Sequence, residues 1–420
     1  MGMYFFSEFI MWRDNFLRGA LKTIICENCL QKNRDKLLML LIGVWKKFDR
    51  MLQLFSLLAL VLSASLSFLV IPRLVFVSVK RRLFDVPNSR SSHTRAVPRL
   101  GGIIFLPCMM FSYAFVLGLR ELNGVGVATE LRESLLLEML FLICGLTTIY
   151  GIGVLDDLRG VSFRKKFVAQ ILAAIFFLFG DIHIDNLHGI FGIYELPVAV
   201  SYVLTIFITV LIINAINLID GIDGLASGLS SVALAVYGFW FLSSELYAYA
   251  MLAFSLLGSV MIFFLYNVFG KRMKLFMGDT GSLILGYCLA FLAIRFCQLN
   301  ATPEFGVVGA PIVAFSTLFI PIFDVFRVFI VRIKHGKSPF LPDKNHIHHK
   351  LLALGMSHRQ AMLALVISSS MFIILNWFLV KILGETVMFL FDIFLGLCLV
   401  YGLQRFIVDK ERKLVKRKVR

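Results

Sequence analysis

Runs of about 20 apolar residues, the length an α-helix needs to cross a hydrocarbon core about 30 Å thick, recur from residue 52 almost to the C-terminus. No single water-soluble domain can bury so many of them, since an ordinary globular chain is only about half apolar. Of the 420 residues here, 59% are hydrophobic and 16% charged, and the mean hydropathy is +0.85. Apolar runs bounded by basic flanks give about eleven spans. They lie at residues 52–71, 101–119, 135–155, 167–180, 196–213, 226–242, 248–266, 282–298, 307–331, 361–378 and 387–403. The predicted fold class is all-α, a polytopic membrane protein whose backbone polar groups are satisfied inside its transmembrane helices.

The formal net charge of +16 does not imply nucleic acid as a partner. The Lys and Arg residues cluster in short segments between apolar runs, as expected of cytoplasmic loops. If residues 73–99 are cytoplasmic, alternation puts 156–166, 214–223, 267–281, 334–359 and the basic tail 410–420 on the same side. All the polar-rich loops then share one face, while 120–134 and 181–195 are neutral or acidic connectors.

Residues 1–50 conflict with this orientation, because a segment carrying Arg13, Arg18, Lys22, Lys46, Lys47 and Arg50 would have to lie outside. Residues 36–45 are too short to cross. The expectation is an N-terminal extension at 1–50 that arises from start-site choice, with translation beginning at Met51; an interfacial helix is the alternative. A transmembrane domain at 51–404 and a basic cytoplasmic tail at 405–420 follow. Of the seven cysteines, Cys108, Cys144, Cys288, Cys297 and Cys398 sit in or beside apolar runs as small buried hydrophobes. Cys26 and Cys29 form a CxxC with no second pair to complete a zinc site.

Four motifs and one further loop carry the chemistry, and all fall on the polar-rich face. The string NAINLIDGIDGLA begins at Asn214 and ends an apolar span. Asn214, Asn217 and Asp220 are three apart and share a helix face, and Gly221 and Gly224 let the chain turn after it. Such amide and carboxylate oxygens suit Mg²⁺; helix capping is the bland alternative. Asp156 and Asp157 end the third span, where adjacent carboxylates call for a cation, a shared proton or a raised pKa, or simply cap a helix in solvent. Arg159, Arg164, Lys165 and Lys166 follow them as phosphate-binding cations.

The string FMGDTGS, Phe276 to Ser282, precedes the eighth span. Its Gly278 and Gly281 allow backbone N–H groups to meet an anion at a helix N-terminus, and Asp279 adds a metal oxygen. By itself such a string is also an ordinary turn. The last loop, Arg332 to His349, holds His346, His348 and His349, which suit sugar hydroxyls or a phosphate, with zinc as the alternative. The first loop, Asp85 to Gly102, with Pro87, Asn88, Arg90, His93, Pro98 and Arg99, combines turn residues with further phosphate contacts, or serves as a basic retention loop.

In this order the four motifs resemble the polyprenyl-phosphate N-acetylhexosamine-1-phosphate transferase family (glycosyltransferase 4). That family includes the translocase making the first lipid intermediate of peptidoglycan and the undecaprenyl-phosphate GlcNAc-1-phosphate transferases. The resemblance covers residues 85–358. It implies transfer of a sugar-1-phosphate from a UDP-sugar to a polyprenyl-phosphate lipid, with UMP released and envelope glycan synthesis initiated. The setting it implies is a bacterial cytoplasmic (inner) membrane, with the active site facing the cytoplasm.

By the same resemblance, Asn217 and Asp279 are expected to hold Mg²⁺, with Mn²⁺ as the alternative ion. Asp156 and Asp157 form the pair near the lipid phosphate, and Lys166 contacts phosphate. Asp220 and Asp223 belong to the nucleotide-sugar pocket, Phe276 stacks on uracil, and Asn267 is similar to a uracil-contacting Asn. Arg332, His346, His348 and His349 complete the substrate contacts. The string SPFLPDKNHIHH is similar to the GlcNAc-transferring branch, although that branch commonly has Arg where Lys344 stands. UDP-MurNAc-pentapeptide and other UDP-N-acetylhexosamines are the alternatives within the family, and an ion-coupled transporter is the alternative outside it. The bilayer is a partner throughout, and a homodimer is left open.

Overall fold

The computed structural model of the chain describes residues 30–81, 83–85, 97–123, 129–271, 273–301, 305–336 and 345–418. The expectations placed on Cys26 and Cys29, on Pro87, Asn88, Arg90 and His93, and on Lys344 lie outside the described residues. The chain divides into two units, Met1–Leu54 and Phe55–Arg420. The first contains the beginning of helix α1 (Leu30–Lys80), and all that follows concerns the second.

The helices after α1 are α2 (Phe105–Leu122), α3 (Thr129–Arg159), α4 (Phe163–Phe179), α5 (Val198–Ile219), α6 (Leu225–Ser243), α7 (Tyr247–Phe269) and α8 (Gly278–Asn300). They continue with α9 (Ala310–Thr317), α10 (Phe319–Lys334), α11 (Ile347–Ala353), α12 (His358–Leu383) and α13 (Glu385–Lys418). Among the described residues the named strands are β1 (Phe84–Asp85) and β2 (Val97–Pro98), paired antiparallel.

Among the described residues nine helices are long and apolar enough to cross a membrane singly. The predicted ninth span is instead a broken one: α9 and α10 together pass the same test but are bent by 76° at Leu318. The predicted fourth span corresponds to α4, 17 residues long. Each of the other predicted runs falls largely within a single α-helix, and the protein is a multi-pass helical membrane protein.

Helix α8 is the hub. It packs against α3 and α5, and more lightly against α6 and α9, and 83% of its most apolar window is buried, against 17% for α13. Close approach explains how it fits: a Cβ on Gly286 would stand 2.5 Å from the Ile213 Cα, and one on Gly153 would stand 2.6 Å from the Thr280 Cα. Small residues let helix backbones meet where lipid supplies no hydrophobic drive between them.

The up-and-down order then brings the C-terminal ends of α3 and α5 and the N-terminal ends of α4, α6 and α8 to one end of the bundle. The first loop is sewn onto that end. Phe276 N–H donates to the Pro98 carbonyl (2.7 Å), and the Gly101 and Gly102 N–H groups donate to the Phe276 and Met277 carbonyls (2.8 and 2.7 Å).

Candidate active site

At that end five aspartates converge. Asp156, only 7% exposed, accepts from Val161 N–H at 2.6 Å and from Lys166 Nζ at 3.2 Å. Lys166, from the first turn of α4, also donates to Asp279 Oδ2 at 2.6 Å, so one ammonium is shared by two carboxylates from different helices. Both partners remain partly open to solvent.

Asp157 behaves differently from its neighbour, and the predicted pair is split. Its side chain is fully buried, with Oδ1 accepting from Asp279 N–H (2.9 Å) and Oδ2 from Thr280 N–H (3.0 Å) and Thr280 Oγ1 (2.6 Å). Arg99 Nη2 lies 3.6 Å from it. Successive helix residues point about 100° apart, so one of two adjacent aspartates faces the site while the other caps α8. A carboxylate suits that place, because it satisfies orphan N–H groups and complements the positive end of the helix. Gly278, at φ +71°, leaves no room for a side chain there: a Cβ would stand 2.2 Å from the Arg99 carbonyl.

Asn217 Nδ2 donates to Ser282 Oγ at 2.8 Å, and its amide neighbours the Asp279 carboxylate. Asn214, expected on the same face, is committed elsewhere: its Nδ2 donates to Gln170 Oε1 (2.7 Å) and to the Val210 carbonyl (2.8 Å), joining α4 to α5. Asp220 sits at the C-cap of α5. Burial, then the nearby charges of Asp279, Asp223 and Asp157, pushes its carboxyl up to about 7. Asp223 pairs with Lys274 Nζ at 2.6 Å, and His358 Nδ1 lies 3.9 Å away. Lys274 also lies over the Phe276 ring, 5.7 Å from its centroid.

Asn267, expected at the substrate, is a buried staple. Its Oδ1 accepts from Gly224 N–H (2.6 Å) and its Nδ2 donates to the Leu275 carbonyl (2.8 Å), tying the turn before α6 to the loop before α8. Arg332 is buried in α10.

The histidine segment reaches the site through His348, 1% exposed. Its ring lies against Gly221, where a Cβ would come within 2.2 Å of Nε2, and neither ring nitrogen has a hydrogen-bond partner among the described residues. Burial, followed by the charges of His349 and His346, lowers its pKa to about 3. The ring is therefore neutral at physiological pH. The His348 and His349 rings stand 4.3 Å apart, and those of His346 and His348 are nearly parallel at 5.8 Å. Beneath them Asp324, which the sequence reading passed over, accepts from His346 Nδ1 at 2.8 Å and from Arg327 at 2.7 Å. An Asp and an Arg three apart inside an apolar run were the available signal.

The donor set fits a hard divalent cation. Among the described residues three cations, Arg99, Lys166 and Lys274, face five aspartates. The free donors are carboxylate and amide oxygens. No group of three His, Cys, Asp or Glu among the described residues is placed to hold a metal. Magnesium does not require one, since it is usually held by one or two carboxylates, with water and phosphate completing the shell.

Comparison with known proteins places the chain among relatives of one family. Residues 139–297 match the family described as Glycosyl transferase family 4. A Bacillus subtilis protein named probable undecaprenyl-phosphate N-acetylglucosaminyl 1-phosphate transferase is 32% identical over 75% of this chain and 82% of its own. An Escherichia coli K12 protein named undecaprenyl-phosphate alpha-N-acetylglucosaminyl 1-phosphate transferase is 30% identical over 70% and 76%. A Yersinia pestis protein of that name is 28% identical over 80% and 87%. With that coverage, and with the family's motifs gathered at one end of a multi-pass helical bundle, the chain belongs to glycosyl transferase family 4, the polyprenyl-phosphate sugar-1-phosphate transferases.

Proposed function

We propose that this protein transfers N-acetylglucosamine-1-phosphate from UDP-GlcNAc to undecaprenyl phosphate, releasing UMP, at the cytoplasmic face of a bacterial inner membrane. The observation that carries the proposal is the convergence of Asp156, Lys166, Asn217, Asp220 and Asp279 from α3, α4, α5 and α8 at one end of the bundle. The basic segments around Arg159, Lys166, Lys271, Lys274, Lys334 and Arg359 lie at that same end, which supports its cytoplasmic orientation.

Both reactants are anions, so the site's task is to neutralise charge where the two phosphates meet. Asn217 and Asp279, with Asp220 beside them, would hold Mg²⁺, which when bound would neutralise the UDP pyrophosphate and orient it. Lys166, shared by Asp156 and Asp279, supplies a cation for the phosphate oxygens. Asp156 takes the proton of the lipid phosphate, a modest task for a carboxylate because the second phosphate pKa is near 6. Asp157 does not touch the reacting atoms; by capping α8 it holds Gly278 and Asp279 in place. The lipid phosphate then attacks the sugar-linked phosphorus in line and UMP departs. One phosphoanhydride is exchanged for another, so the reaction runs close to equilibrium.

Phe276, backed by Lys274, offers a face for the uracil ring. His348 is neutral, and among the described residues both of its ring nitrogens are unpaired, which suits hydroxyl and amide groups better than phosphate and supports an N-acetylhexosamine at that position. The test is UMP release by the purified protein from UDP-GlcNAc, with and without undecaprenyl phosphate, across a Mg²⁺ titration. Release that requires both substrates and the metal is expected. Release without the lipid, or none with it, overturns the proposal.

A further inference from the structure

Asp324 lies in α10, six residues past the break at Leu318, with only 1% of its surface exposed. An ionised carboxylate buried this deeply costs several kcal/mol unless its oxygens are all engaged. They are. Oδ1 accepts from Arg327 Nη2 at 2.7 Å and from Ile347 N–H at 3.0 Å, and Oδ2 accepts from His346 Nδ1 at 2.8 Å. Arg327 also donates to the Asn345 carbonyl.

Every one of these longer-range bonds reaches the short stretch Asn345–Ile347, where α11 begins. His346 occupies the N-cap of that helix and makes no capping bond with its own side chain. Asp324 therefore supplies, from another helix, an acceptor for the first of the orphan N–H groups of α11. A carboxylate on Nδ1 also selects the tautomer of the His346 ring: Nδ1 carries the proton and Nε2 keeps its lone pair. The consequence extends to the site, because the His346 and His348 rings are nearly parallel and His348 rests on Gly221, in the turn between Asp220 and Asp223.

We propose that Asp324, neutralised by Arg327, is a positioning residue for the sugar-phosphate donor. Through His346 Nδ1 and Ile347 N–H it sets the tautomer of His346 and the placement of the histidine segment against the donor pocket. The inference rests on the transferase reading above. It predicts damage confined to use of the UDP-sugar, since among the described residues no hydrogen bond of Asp324 reaches Asp156 or Lys166.

The test compares Asp324→Asn, Asp324→Glu, His346→Gln and the double variant Asp324→Asn/His346→Gln, each in the full chain and normalised to folded protein by thermal unfolding. For Asp324→Asn we expect kcat/KM for UDP-GlcNAc to fall about 10- to 100-fold, with KM for undecaprenyl phosphate unchanged and partial rescue by Asp324→Glu. The double variant should be no worse than His346→Gln alone. Equal losses for both substrates, or a double variant that is worse by the full Asp324→Asn factor, would overturn the inference and leave the transferase reading intact.

A wild-type protein that releases no UMP would overturn the transferase reading instead. In that case ¹⁵N-histidine NMR still decides the point, because it reads the tautomer without turnover. The Nδ1–H form is expected for His346 in the wild type and is lost in Asp324→Asn. An Nε2–H form in the wild type refutes the positioning role.

Discussion

Helix α8 carries ionisable side chains at both ends, and the two ends handle charge in opposite ways. Asp279 opens the helix and Arg295 stands about 24 Å further along its axis at the helical rise. At the Arg295 end the groups satisfy one another. Nη2 pairs with Glu138 at 2.9 Å, Nε donates to the Tyr249 hydroxyl at 3.0 Å, Nη1 donates to Gln298 Oε1 at 2.9 Å, and Tyr249 in turn donates to Glu138 at 2.5 Å. At the Asp279 end one lysine serves two carboxylates, Asp220 has been pushed up to about 7, and among the described residues His348 has no partner for either nitrogen. A buried polar network that is complete makes structure, and one that is short of partners has room for a ligand.

The largest effect that would test this contrast is at the open end. Asp279→Ala, Asn217→Ala and Asp156→Asn should each lower turnover by about 10²- to 10³-fold or more, with the protein still inserted and folded. Wild-type turnover at ordinary Mg²⁺ in either of the first two would remove the ligand assignment.

At the closed end the loss should fall on stability instead. Arg295→Met leaves the Glu138 charge buried without its cation, at a cost of about 3–5 kcal/mol, while Glu138→Gln/Arg295→Met recovers most of it. Turnover per folded molecule should be unchanged in both, and a specific loss of turnover would make the far end part of the catalytic machinery.

Between these extremes stands Asp157→Asn, which weakens a helix cap worth about 0.5–2 kcal/mol. We expect a modest drop in thermal midpoint, and a turnover loss smaller than that of Asp156→Asn. Equal turnover losses for the two would mean that Asp157 acts on substrate directly.

The smallest effect concerns pH. The folded-state pKa of Asp220, about 7, lies above its ordinary value of 3.8. The fold thus favours the protonated form, and this contribution is lost as pH rises through 7. Without metal, Asp220→Asn should raise the thermal midpoint at about pH 8 and have little effect near pH 4. His348 has the opposite sign. Its pKa of about 3 lies below the ordinary 6.5, so its contribution is full above 6.5 and is lost as pH falls toward 3. His348→Asn should flatten that acid limb of the stability curve.

The span pattern was legible because hydropathy over 20 residues reports directly on the cost of burying a peptide in lipid. The bend at Leu318 was not, since the apolar run from Val307 to Val331 reads the same whether straight or broken. Site membership followed from one-sided loops: once the chain alternates across a membrane, Asp156, Asn217, Asp220 and Asp279 have only one end to occupy. Their individual tasks did not follow. Asn214 and Asn217 differ by three residues, and one bonds to Gln170 of α4 while the other meets Ser282 of α8.

Linear order alone thus decided that this chain is a membrane helix bundle, which end gathers its acids, and that carboxylate and amide oxygens meet lysine and arginine side chains there. Those properties depend on composition and periodicity, which are local. Which of two adjacent aspartates faces the site, that Asn267 is a staple, and that Asp324 holds the histidine segment were decided only when the helices packed. Each depends on an azimuth about a helix axis and on a partner far away in sequence: 122 residues for Asp157 and Asp279, 43 for Asn267 and Gly224, and 22 for Asp324 and His346.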